Sequence, residues 1–246
     1  MLRGDGPARD ARRDSGSRRG LAGLRERYRE AGLSVILALL ATIIFVVSPL
    51  AATGHLSGDV AEALRFGLAA TAILIVTRSR LIGALVAATF VVSLACRLWL
   101  RSGAAGEALH LTNIGLTIAF DLAVAWTVAH AAFDGGRITV HRIMGAVILY
   151  LYIGLIFAGF YRLAAELLHP SFSGLASRGD LSGLLYFSLG VLTTSGGGGL
   201  TAVHPFIRSL VSLESVIGAL YPATFLARLV TLHGAESAQG SDRREP

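Results

Sequence analysis

Residues 193–199 read TTSGGGG and follow the apolar stretch LSGLLYFSLGVL at 181–192. Three hydroxyl side chains and four residues without a Cβ suit two kinds of chemistry. Glycines suit backbone carbonyls aimed at a central axis, in conformations that residues with a Cβ avoid, which makes Thr193, Thr194, Ser195, Gly196, Gly197, Gly198 and Gly199 candidate site residues. Alternatively, Ser195 in a glycine-rich turn could act as a nucleophile, with His204, His233 or His130 as its base. That reading needs a histidine from another helix to reach Ser195, and no helix offers a second, well-placed partner. Two carboxylates also stand in apolar surroundings, Asp121 and Glu214. An intramembrane carboxylate is by default a candidate ion or proton site, its structural alternative being a buried partner of an arginine or another polar group.

Composition decides what carries these residues. Of 246 residues, 53% are hydrophobic and 15% are charged, with mean hydropathy +0.63. Soluble domains carry about 25% charged residues, so soluble, disordered and collagen-like classes are excluded and an integral membrane protein remains. All 22 basic residues are arginine, and the formal net charge is +6. A single cysteine, Cys96, rules out a disulfide framework or a thiolate metal cluster. Basic charge beside long apolar runs points to membrane topology rather than nucleic acid. No nucleotide loop or metal-ligand spacing occurs, so neither an enzyme cofactor nor a nucleic-acid partner is expected.

A spanning helix needs roughly 20 apolar residues. Six such segments are predicted, at about 33–53, 60–77, 81–100, 108–133, 143–165 and 206–232. Glu62 and Arg65 in the second are spaced to pair. Residues 1–32 hold nine arginines against five acids and read as a cytoplasmic tail suited to anionic lipid, with a short interfacial helix at its end. Residues 234–246 read as a disordered polar tail. Arginine placement favours both termini on the cytoplasmic side of a cell membrane. The glycine-broken segment cannot span as one helix. Irregular backbone at membrane depth survives only when buried in protein or lining a watery cavity, so 181–201 reads as a half-helix followed by a re-entrant loop. Gly218 and Pro222, four residues apart in the last span, mark a kink or gating hinge, or equally a packing adaptation. Glu214 is expected to brace the loop through its backbone N–H groups, and Arg228 to snorkel to headgroups.

The run YFSLGVLTTSGGGGLTAVHPFIRSLVSLESVIGALYPATFLARLV resembles the pore module of bacterial six-helix potassium channels, whose filter reads TTVGYGD. Tyr186, Phe187 and Ser188 match the start of that pore helix, and Leu192, Thr193 and Thr194 its end. Gly196 and Gly198 match the two filter glycines, and Thr201 and Pro205 the segment after them. Arg208, Ser209, Leu210, Glu214, Gly218, Tyr221, Ala227 and Arg228 match the inner helix. The resemblance covers residues 136–233. It implies an all-α fold of six spanning helices plus a re-entrant pore helix, a homotetramer, a selectivity filter at Thr193 to Gly199 with a monovalent cation held at Thr194, Ser195, Gly196 and Gly197, and K+ (or Na+ or another cation) as permeant ion.

The departures fall within the filter. Ser195 stands where the family has valine, Gly197 where it has tyrosine and Gly199 where it has aspartate. Without the aromatic buttress the loop is expected to be soft and poorly selective, and the changes Gly197→Tyr with Gly199→Asp to favour potassium. The fourth helix, in the four-helix domain at 33–135, carries no arginine, so steep voltage sensing is not expected. A non-conducting channel-like subunit is the alternative function, and an intramembrane serine hydrolase the remote one.

Overall fold

The computed structural model describes residues 34–55, 106–133, 140–177 and 180–242, with single positions between 64 and 99. The expected tail at 1–32, the spans at 60–77 and 81–100, and the Glu62–Arg65 pair lie outside the described residues.

Five helices carry the described chain: α1 (Ser34–Ala52), α2 (Glu107–Phe133), α3 (Val140–Leu167), α4 (Leu181–Leu192) and α5 (Pro205–Asp242). Helices α1, α2, α3 and α5 are each long and apolar enough to cross a membrane, which defines an all-α membrane protein. The predicted spans at 33–53, 108–133, 143–165 and 206–232 coincide with them. α1 contains a π-helical stretch, Ile43–Val47, in a run of β-branched residues that the hydropathy pattern does not reveal. Two-residue strands, β1 (Phe172–Ser173) and β2 (Thr201–Ala202), pair antiparallel.

Side-chain contacts fix the helix directions. Ser34 at the start of α1 meets Met144 near the start of α3, whereas His110 at the start of α2 meets Glu166 at the end of α3, at 3.3 Å. Helix α1 therefore runs parallel to α3, and α2 antiparallel. Tyr221 of α5 donates to the Ala146 carbonyl near the start of α3, so α5 is antiparallel as well. One apolar cluster joins α1, α2 and α3 around Leu40, Val128, Ile148 and Tyr152. A second joins α3, α4 and α5 around Tyr161, Leu184, Phe187 and Ile207.

The last helix departs from expectation twice. It runs unbroken through Pro222, and its backbone remains helical to Asp242, where 234–246 reads as a disordered tail. Each residue added to an existing helix gains a hydrogen bond without a new nucleus, and the alanine-, glutamate- and glutamine-containing end of the chain is compatible with that extension.

A capped half-helix and its glycine loop

Helix α4 forms where the sequence places it because both ends are specified locally. Asp180 is its N-cap, accepting from the Gly183 N–H at 2.9 Å. Its twelve residues rise about 18 Å, too short for a hydrocarbon core of about 30 Å. Ser182 donates to the Ser48 carbonyl near the end of α1, and the C-terminal end stops beside the middle of α3. There Tyr150 OH donates to the Leu192 carbonyl at 2.9 Å, and Ser188 Oγ donates to the Gly154 carbonyl at 2.7 Å. The chain then returns to where it started: β2 pairs with β1, and the Val203 and His204 N–H groups donate to the Ser171 carbonyl. The segment goes halfway along α3 and comes back.

A helix end leaves four carbonyls without intrahelical partners, and here all four are taken. Leu189 accepts from the Thr193 N–H and hydroxyl, and Gly190 from the Ser195 and Gly196 N–H groups. Val191 accepts from the Thr194 N–H and Leu192 from Tyr150. The bonds from Ser195 to Gly190 and from Thr194 to Val191 form a Schellman motif, which puts Thr194 in the left-handed position with φ 59°. That position ordinarily takes glycine; a β-branched residue there is strained by about 1–2 kcal/mol. Thr194→Gly is expected to raise the thermal midpoint of the detergent-solubilised protein, and a lowered midpoint would contradict the strain.

The glycine loop is not soft in the way the missing tyrosine suggests. The Phe187 ring, buried in a T-shaped triad with Tyr161 and Phe172 at centroid distances of 5.3–5.8 Å, fills the space behind Gly197. A Cβ there would lie 2.8 Å from that ring and 2.9 Å from the Leu200 carbonyl oxygen. The Tyr186 ring covers Gly198 in the same manner. The space behind Gly197 is therefore filled from α4, and Gly197→Tyr, expected from sequence to favour potassium, has no room.

The loop carbonyls also turn toward the protein. Gly197 O accepts from the Leu200 N–H at 3.0 Å, Gly196 O lies over Gly190, and Gly199 O lies over Gly174. Thr193, Thr194 and Ser195 are exposed, as are Gly196, Gly198 and Gly199, and Thr193 Oγ1 and Ser195 Oγ lie 2.9 Å apart. Ser195 thus pairs with Thr193, while His204 Nδ1 accepts from the Phe206 N–H at the start of α5.

Glu214 is fully buried and braces α4, through side chains rather than the expected loop N–H groups. Ser188 Oγ and Tyr161 OH each lie 2.5 Å from one of its oxygens. Gly218, also on the buried face of α5, lets that helix touch the end of α4: a Cβ would meet the Leu192 carbonyl oxygen and lie 2.9 Å from its Cα. The Tyr150 and Tyr221 rings stack beside this contact, 5.6 Å apart. The structure thus gives Gly218 a packing role, and Pro222 sits in continuous helix. Asp121 is buried within α2.

No family model matches the chain, and no curated protein or solved structure matches it either.

Proposed function

We propose that the chain is one subunit of a potassium-channel-like homotetramer that conducts cations passively across a cell membrane, with both termini cytoplasmic. The observation that carries this reading is the half-length helix α4, ending beside the middle of α3 and followed by an exposed hydroxyl-rich loop. Lipid cannot solvate such a loop, so it must face water or more protein. A helix C-terminus directed there favours positive charge. One copy supplies one loop, and closed symmetry is the economical way to surround an axis. Helix α5, only 11% buried over its apolar window against 50% for α3, leaves the faces that neighbours and a cavity require. Helix α1 ends and α2 begins at the same end of the bundle, the parity that two intervening spans demand.

The turned-in carbonyls support weak discrimination between potassium and sodium. A dehydrating ring needs carbonyls aimed at the ion. Here three of the loop carbonyls are turned away, and the exposed Thr193, Thr194 and Ser195 hydroxyls suit a partly hydrated cation. With no arginine in α2, conductance should vary only shallowly with voltage. Assembly is tested by native mass spectrometry in several mild detergents. A mass four times 25.8 kDa is expected, and a monomer or dimer throughout would overturn the pore reading.

A further inference from the structure

The contacts around Glu214 determine where the hydrogens are. Ser188 Oγ lies 2.7 Å from the Gly154 carbonyl oxygen and 2.5 Å from Glu214 Oε1, and Tyr161 OH lies 2.5 Å from Oε2. A serine hydroxyl has one hydrogen to donate, and a carbonyl has none. Ser188 must therefore spend its hydrogen on Gly154. Sharing it between two acceptors would lengthen both contacts, yet neither is longer than an ordinary O–H···O bond. The hydrogen between Ser188 and Glu214 has to come from Glu214. Placing it on Oε2 instead would leave the Ser188–Oε1 contact with two bare oxygens.

We infer that Glu214 is a proton-binding site: the proton sits on Oε1 and completes a chain from Glu214 to Ser188 to the Gly154 carbonyl, while Tyr161 donates to Oε2. The surroundings agree with this. The groups facing the carboxyl are Tyr161 from α3 and Ser188 from α4, with Tyr150 of α3 further off. One bound proton thus ties α5 to α4 and α4 to α3. Removing it leaves Ser188 with two acceptors and one hydrogen, so either the α4–α5 or the α3–α4 link breaks. This inference does not depend on conduction.

Infrared difference spectroscopy of the full chain in lipid at neutral pH tests the assignment. Subtracting the spectrum of Glu214→Gln from that of the unaltered protein should reveal the C=O stretch of a protonated carboxylic acid. A difference confined to carboxylate bands would overturn the inference. Ser188→Ala provides an independent arm: it keeps the carboxyl but removes the acceptor of its proton, so the acid band should persist and move to higher frequency. An unmoved band, or none, would also overturn it. The amide of Glu214→Gln can donate to Ser188 as the acid does, so this variant should keep a thermal midpoint close to the parent's, and a large fall would contradict the donor role.

Discussion

Gly218→Ala is expected to unseat α4 rather than merely stiffen α5. The added methyl would press on the backbone of Leu192, whose carbonyl oxygen is held by Tyr150 and whose side chain is fully buried. Overpacking against neighbours that can yield costs about 1–3 kcal/mol. Here the neighbour is backbone, and about 3 kcal/mol or more is expected. Gly115→Ala on α2 is the control: nothing lies within 4 Å of its would-be Cβ, and replacing a mid-helix glycine gains about 0.5–1 kcal/mol. Thermal unfolding in detergent should fall sharply for the first and not for the second. A Gly218→Ala protein as stable as its parent would instead favour the hinge.

The second large effect is expected at Glu214. Glu214→Ala removes the group that Ser188 and Tyr161 share and leaves a void among fully buried neighbours. Truncating a buried side chain of that size costs about 2–5 kcal/mol, and the orphaned Tyr161 hydroxyl adds about 1–3 kcal/mol. Tyr161→Phe, which deletes one hydrogen bond and leaves the ring triad in place, should cost about 1 kcal/mol. Unfolding midpoints should therefore fall in the order Tyr161→Phe, then Glu214→Ala. The reverse order would mean that the ring, not the carboxyl, holds α4.

How much of this was legible depended on sequence distance. Helix α4 could be read from sequence because its signals are local: a largely apolar run of twelve, then hydroxyls and glycine. The four apolar helices were legible from hydropathy for the same reason. The bracing of α4 was only half legible. Glu214 stands out as a carboxylate in an apolar helix, but Ser188 and Tyr161 lie 26 and 53 residues away, and nothing local links them. The Phe187 ring was visible only as part of a motif. That it stands behind Gly197 follows from the fold, which is why the loop read as soft. Gly218 shows the converse: a glycine in a helix announces either a bend or a close approach, and only the position of Leu192 decides between them.

The most direct test of a conducting pore is current through planar bilayers containing the purified protein, with potassium on one side and sodium on the other. On the proposed function a cation current is expected that reverses near zero voltage, since three of the loop carbonyls are turned toward the protein, and that depends shallowly on voltage, since α2 carries no arginine. A near-Nernstian potassium potential would show that the loop carbonyls of the conducting state point at the axis. Absence of any current above that of empty bilayers, from protein shown to be tetrameric, would contradict the channel.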